Sequence, residues 1–455
     1  MKSFILFSLI TLAIIGCSSA TKEVAGAVKV EVVQSASGFQ LLRGGEPYFI
    51  KGAGLEHGDI ESFAAHGGNS IRNWTTKSDV ETAQEVLDRA HKHGVSVALC
   101  LPMLAERWGF DYDDEEAVAK QLAVFREEVL KYRDHPALLV WIIGNELNYS
   151  YTNSRVYDAV NDVAAMIREL DPNHPTTTTV EGLKQKTIND IQARAPNLDF
   201  ISFQLYGELF VLPERIEELN FEMPFMVTEW GAVGHWEVDK TSWGAPIEAT
   251  SSQKADSYRR GYRDKLEPLE GQLIGSYAFL WGQKQERTPT WFGFFTEAGE
   301  ETETVDIMHH IWNGEWPENR APQVRSIKLD GKVARDNVTL VAGESYVATV
   351  DMFDTDGDAI RFRWELKPES VSTQVGGDYE EPIANLDGQI SDTGAAKTEV
   401  KAPAPGTYRL FVYAYDGQGH AAHANIPFLV KSKSAVNVDR TPKQVSIQLR
   451  AAGAN

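Results

Sequence analysis

Between residues 28 and 318, short apolar runs alternate with longer stretches in which apolar residues recur at helical spacing. The runs are 48–51, 70–72, 95–99, 138–143, 177–180, 200–203, 225–227 and 274–280; helical patterns cover 79–93, 115–132, 153–170 and 251–266. The third of these helices places Val156, Val160, Val163 and Ile167 on one face and is stopped by Asp171-Pro172-Asn173-His174-Pro175. Runs that are apolar throughout and rich in β-branched residues read as strands buried on both faces, which is the texture of a parallel sheet. Eight strand–helix units in about 290 residues predict a (β/α)8 TIM barrel. A doubly wound open sheet is the rival, but no Gly-rich phosphate loop follows the first run.

The texture changes at Trp316-Pro317-Glu318-Asn319-Arg320-Ala321-Pro322. Beyond it, runs such as 345–350, 360–366 and 407–415 alternate without helical periodicity and are separated by turn residues. That pattern predicts a C-terminal immunoglobulin-like β-sandwich over 319–431, followed by a polar tail over 432–455. The acidic stretch Asp354-Thr355-Asp356-Gly357-Asp358 faintly resembles a calcium loop but lacks the distant Glu of an EF-hand, and it reads as a solvated turn. With no aromatic triplet to mark a glycan-binding module, the sandwich is expected to act as a rigid spacer or buttress for the barrel.

Composition narrows the function. At 42% hydrophobic and 24% charged the chain is globular rather than disordered. Forty-four Lys+Arg against 65 Asp+Glu give a net charge of −21, a field that repels nucleic acid and suits a neutral substrate better than an anionic one. Two cysteines, Cys17 and Cys100, exclude a disulfide scaffold, and Cys100 sits in an apolar run as a core residue. After Met1-Lys2, the apolar stretch 4–15 is shorter than the roughly 20 residues needed to span a bilayer and reads as a secretory signal. It ends in Ile14-Ile15-Gly16-Cys17-Ser18-Ser19, which resembles a bacterial lipoprotein lipobox. The expectation is a leader over 1–17 with lipidation at Cys17, a tether over 18–27, and a lipid anchor to the outer membrane or cell surface. The plainer reading is an ordinary signal peptide with an incidental Cys.

In a barrel of this kind the active site forms at the carboxyl ends of the strands. The fourth run, Leu138-Leu139-Val140-Trp141-Ile142-Ile143-Gly144-Asn145-Glu146, is apolar until it ends in an amide and a carboxylate. The seventh, Phe225-Met226-Val227-Thr228-Glu229-Trp230-Gly231, also ends in a Glu. Two carboxyl groups facing one another across the mouth are what glycoside hydrolysis requires, one to protonate the leaving oxygen and one to attack the anomeric carbon. Arg72 ends the second run, where a cation beside Glu229 would hold that carboxylate ionised; the plainer reading is a surface ion pair. No His/Asp/Glu spacing suggests a metal site, no Gly-x-Ser-x-Gly elbow occurs, and the two-carboxylate chemistry calls for no cofactor.

Asn145-Glu146 and Thr228-Glu229-Trp230-Gly231 resemble the clan A retaining glycosidases, whose barrels carry Asn-Glu at the end of strand four and a nucleophilic Glu at the end of strand seven. The resemblance implies Glu146 as general acid/base, Glu229 as nucleophile and Asn145 as partner of the sugar 2-hydroxyl. It also implies that Arg72 and Tyr206 attend the nucleophile and that Trp281 forms an aromatic floor under the reacting sugar, although a lone Trp is more often a core ring. Trp230, His235, Trp236, Trp243, Trp291, Phe292 and Phe295 would line further subsites. The segment Gly44-Gly45-Glu46-Pro47-Tyr48-Phe49-Ile50-Lys51-Gly52 resembles the start of family 2 barrels, in which sandwich domains precede the barrel; the stretch before residue 48 is too short for one. With His235-Trp236-Glu237 and Trp243-Gly244-Ala245-Pro246, the layout is most similar to the endo-β-1,3-glucanases of glycoside hydrolase family 158. That resemblance implies a surface-anchored monomer cleaving a β-1,3-glucan such as laminarin with retention of configuration. The alternatives are another clan A β-glycosidase or transglycosylase (β-galactosidase, β-mannanase or β-1,3-glucanosyltransferase type), or a non-catalytic glycan-binding lipoprotein.

Overall fold

The computed structural model describes residues 26–55, 57–374 and 377–434. The leader with Cys17, most of the tether and most of the tail lie outside the described residues. Eight parallel strands close into a barrel: β1 (Ile50–Gly54), β2 (Ser70–Arg72), β3 (Ser96–Leu101), β4 (Leu138–Asn145), β5 (Thr176–Glu181), β6 (Phe200–Leu205), β7 (Phe225–Gly231) and β8 (Leu273–Phe279). Each lies on one of the eight apolar runs. Their residues are buried almost throughout because helices cover the outer face and the opposing strands fill the inside. The Thr-rich β5 belongs to this set: β-branching suits the pleat, and its hydroxyls are satisfied within the barrel, Thr177 against Ser202 at 2.8 Å and Thr178 against the Ile143 carbonyl at 2.7 Å.

The helices are α1 (Ile60–Ala65), α2 (Ala83–Lys92), α3 (Glu115–Tyr132), α4 (Val156–Leu170), α5 (Gln185–Arg194), α6 (Leu212–Glu218), α7 (Ser251–Arg260) and α8 (Glu303–Asn313). Local chemistry sets their starts. Thr82 with Glu85 and Thr250 with Gln253 form reciprocal capping boxes, and the Asp114 carboxylate caps α3. The helix expected from residue 153 begins at Val156, because the backbone N–H groups of Thr152 and Asn153 are drawn away to the Glu106 carboxylate at 2.7 and 3.0 Å.

A hairpin of Val30–Ser35 and Gly38–Arg43 covers the amino-terminal end of the barrel. Its contacts fall on segments that precede strands: Val30 N–H to the Asn173 carbonyl, Phe39 N–H to Gly271, and the Arg43 guanidinium to Pro136. That end is sealed, which leaves the carboxyl end for chemistry.

The C-terminal region is a two-sheet sandwich. Strands β9 (Gln323–Leu329), β11 (Ser345–Phe353) and β13 (Lys397–Lys401) form one sheet; β10 (Thr339–Val341), β15 (Ala421–Lys431), β14 (Gly406–Tyr415) and β12 (Arg361–Pro368) form the other. Its core holds Trp364, Leu410, Val412, Ile426 and Phe428. In the acidic turn Asp354 Oδ1 accepts the backbone N–H groups of Asp356, Gly357 and Asp358, the geometry of an Asx turn.

The sandwich is fastened to the barrel through buried charge. Arg409, on β14, bonds Glu369 at 2.7 Å, Asn425 at 2.7 Å and the Pro246 carbonyl of the barrel at 2.8 Å. Next to it Glu248 takes Lys254 at 2.5 Å and the Asn425 amide at 2.6 Å. Burial alone would raise the Glu248 carboxyl, but Lys254, His423 and Arg409 outweigh it and bring it down to about 2. Truncating one member of such a network strands the others without partners. Arg409→Ala is therefore expected to cost about 3–5 kcal/mol, read as a lowered midpoint of urea unfolding.

Candidate active site

At the end of β4 the chain turns sharply: Gly144 has φ +72° and Glu146 φ +48°. Glycine is needed at 144, since a Cβ there would lie 2.5 Å from the Leu147 side chain. Glu146 itself holds a backbone conformation that a side-chain-bearing residue adopts at a cost, as residues at functional sites often do. The turn is held by Asn148, whose side chain bonds both the carbonyl and the N–H of Glu181.

Across the mouth, Glu229 on β7 is nearly buried and fully engaged. Its Oε1 accepts from Arg72 Nη1 at 2.8 Å, Trp74 Nε1 at 2.8 Å and Gln204 Nε2 at 2.9 Å, and its Oε2 accepts from the Tyr206 hydroxyl at 2.8 Å. Four donors around an acceptor-only group are the surroundings an ionised carboxylate needs. Arg72 has 0% exposure, so it is a buried partner of Glu229 rather than a surface ion pair. Burial, and then the Glu229 charge, push the Tyr206 phenol well up, which keeps it a donor.

Asn145 is oriented by its neighbours. Its Oδ1 accepts from Arg72 Nη2 at 2.9 Å and from Gln204 Nε2 at 2.8 Å, which turns the amide nitrogen outward as a donor. Glu146 reaches solvent at the mouth but is walled by protein on its other sides. That burial, with the charges of Glu229 and Glu181, pushes its carboxyl up to about 8. The two glutamates thus stand in different surroundings, Glu229 among four donors and Glu146 against protein walls and carboxylates.

Of the residues singled out in the sequence, Glu146, Glu229, Asn145, Arg72 and Tyr206 are brought together here. Trp236 joins them: it is 51% exposed and stands edge-on to Tyr206 with ring centroids 5.6 Å apart. Trp281 does not. With 0% exposure it is packed among Phe63, Phe295 and Trp312 behind the strand ends, a core ring with no face for a sugar. Trp230, 1% exposed, points outward onto Tyr258 and Tyr262. Trp291 and Phe292 are buried as well. The aromatic ring beside Glu229 is instead Trp74, which donates to it and meets the buried Phe279 edge-to-face at 5.7 Å. Gly54, ending β1, makes room for Trp74, since a Cβ there would lie 2.7 Å from the indole. Sequence reasoning also missed Gln204. Its signal was a polar side chain immediately after the sixth run, which ends at Phe203. Among the described residues no group of three or more His, Cys, Asp or Glu side chains is placed to hold a metal ion. Cys100 is a buried free thiol that burial pushes up to about 11.

Residues 74–235 match the family model described as glycosyl hydrolases family 2, TIM barrel domain. A beta-glucuronidase of Paenibacillus borealis is 24% identical over 328 residues, covering 64% of this chain and 52% of the relative. Mannan endo-1,4-beta-mannosidase F of Aspergillus clavatus is 27% identical over 189 residues, covering 34% of this chain and 42% of that protein. Among solved structures, a calcium-binding mutant of Bacteroides uniformis beta-glucuronidase 2 aligns with a TM-score of 0.50 at 14% identity, covering 89% of this chain and 48% of that one. The chain spans about half the length of these relatives. Over residues 74–235 the barrel is therefore similar to glycoside hydrolase TIM barrels.

The family 2 match runs from Trp74 to His235 and so contains Asn145, Glu146, Gln204, Tyr206 and Glu229. These matches give no support to the resemblance to family 158. The raised Glu146 carboxyl has burial as its first cause and the Glu229 charge as its second. In Glu229→Gln the Glu146 titration should therefore move down from about 8 while staying above the ordinary Glu value, as read by carbon NMR of the labelled side chain.

Proposed function

We propose that the protein is a retaining β-glycosidase in which Glu229 is the nucleophile and Glu146 the general acid/base. The observation that carries this reading is the four-donor cradle holding Glu229 across the barrel mouth from a Glu146 pushed up to about 8. In the first step a Glu229 oxygen bonds to the anomeric carbon, the glycosidic C–O bond breaks, and the Glu146 proton passes to the departing oxygen. In the second, Glu146 takes a proton from water, the resulting hydroxide attacks the same carbon, and Glu229 leaves as a carboxylate. Asn145, with its amide nitrogen turned outward, is suited to bond the 2-hydroxyl, a contact that strengthens as positive charge develops at the anomeric centre.

For the substrate, the relatives favour a β-glycosidase other than the β-1,3-glucanase first expected. By name they act on glucuronides and mannans, whereas the β-1,3-glucan reading rests on the sequence layout around Trp236 and Trp243. Aryl β-glucosides, β-mannosides, β-galactosides and β-glucuronides, together with laminarin, mixed-linkage glucan, mannan and xylan, separate these readings by product. Turnover of laminarin alone would restore the β-1,3-glucanase reading. The motif around Cys17 supports surface anchoring, and palmitate labelling lost in Cys17→Ser tests that.

On the preferred substrate, Glu229→Gln and Glu146→Gln should each lower kcat by at least about 10²-fold, and the first product should be the β-anomer by proton NMR. An α-anomer would sink the retaining mechanism. Because the acid must carry its proton, kcat/KM should fall as pH rises through about 8. Asn145→Ala should reduce kcat/KM by about 10- to 100-fold, the worth of one hydrogen bond to developing charge.

A further inference from the structure

The sandwich reaches further than a buttress would. Beyond β12 its chain leaves at Glu369, which Arg409 grips with two hydrogen bonds, and turns back onto the barrel mouth. There the Ser372 carbonyl accepts from the Arg287 guanidinium, and the buried Glu380 carboxylate accepts the Arg287 backbone N–H at 2.8 Å. The Gly377 carbonyl accepts from Lys284 Nζ at 3.2 Å, and the Asp378 carboxylate lies 3.7 Å from the Arg107 guanidinium.

These barrel partners belong to both halves of the active site. Lys284, from the loop after β8, lies 5.8 Å from the centroid of Phe279, the ring that packs against Trp74 and Tyr206, both donors to Glu229. Arg107, from the loop after β3, lies over Trp108 at 4.3 Å and over Tyr149 at 5.3 Å. The Tyr149 N–H in turn donates to the Glu146 carbonyl at 2.9 Å. Glu106, beside Arg107, fastens this loop to the one after Glu146 through Thr152 and Asn153. The strap, described over 369–374 and 377–380, therefore has contacts on both the nucleophile side of the mouth and the acid side.

An acid that protonates a glycosidic oxygen has the departing sugar on its own side of that oxygen, so the loop carrying Arg107 and Trp108 borders the space the leaving group occupies. We propose that Gly377–Glu380 of the sandwich, with Arg107 and Trp108, builds the leaving-group subsite, and that this subsite takes a neutral sugar. Arg107 and Asp378 compensate one another in charge, so the pair offers a donor and an acceptor to hydroxyl groups without a net field for a carboxylate. Trp108 and Tyr379 are 58% and 73% exposed, large rings that present apolar surface to solvent. This assignment rests on the glycosidase reading above.

The test compares two substrates sharing one non-reducing sugar, an aryl β-glycoside and the corresponding oligosaccharide, on the full chain and on its Tyr379→Ala, Trp108→Ala and Asp378→Asn variants. In at least one of the ring variants, kcat/KM for the oligosaccharide should fall about tenfold more than for the aryl glycoside, with the thermal midpoint unmoved, since both rings are exposed. Equal loss on both substrates, or no loss on either in any variant, overturns the assignment while leaving the glycosidase reading intact. No turnover of any glycoside by the unaltered chain would remove that reading, and this one with it.

Discussion

The buried ion pair between Arg72 and Glu229 is the constraint on which the rest of the site depends. A guanidinium without solvent and a carboxylate nearly as enclosed are tolerable only if each is paired and its remaining hydrogen-bonding capacity is used. The barrel meets most of that demand by bringing β2, β4, β6 and β7 to one point: Arg72, Asn145, Gln204 and Glu229 share hydrogen bonds, joined from just beyond strand ends by Trp74 and Tyr206, while Arg72 Nε and Gln204 Oε1 have no protein partner. The set positions the carboxylate and also ties the carboxyl ends of four strands together. Preorganisation and stability come from the same contacts, and the glutamate can present a lone pair to substrate without first reorganising its partners.

Identical side chains take different chemistry from this arrangement. Glu229 is surrounded by donors. Glu146 is placed by a left-handed turn where protein walls and neighbouring carboxylates meet it and no guanidinium contacts it directly. The Gly144 turn is the local device that separates them, since it carries Glu146 past the strand end instead of letting it join the interior network.

The sandwich belongs to this account because its attachment is polar and buried. Arg409 binds the root of the strap and the barrel carbonyl of Pro246 with one guanidinium, so the position of the strap over the mouth is set by the same group that docks the two domains. An apolar interface would tolerate sliding. A planar donor fork with fixed directions tolerates much less.

How much of this was legible in the sequence depended on whether the signal was local. The eight strands, four of the helices and the two glutamates each announce themselves over short stretches of chain, because burial on both faces of a strand, helical spacing and the abrupt appearance of a charge at a strand end are properties of nearby positions. Arg72 was legible for the same reason, whereas Asn145 and Tyr206 were singled out by the resemblance to clan A barrels. The aromatic ring beside Glu229 was not legible. Trp281 and Trp74 both follow strand ends, and only the packing of Phe63, Phe295 and Trp312 draws the first into the core, while the absence of a Cβ at Gly54 opens space beside Glu229 for the second. Nor could a loop more than two hundred residues beyond Glu146 be assigned to the same mouth from a linear pattern. Sequence alone thus determined the barrel, the sandwich and the carboxylate pair, through periodicity and strand-end chemistry. Tertiary structure alone decided which rings face the opening and which domain helps to wall it, since facing is settled by neighbours distant in the chain.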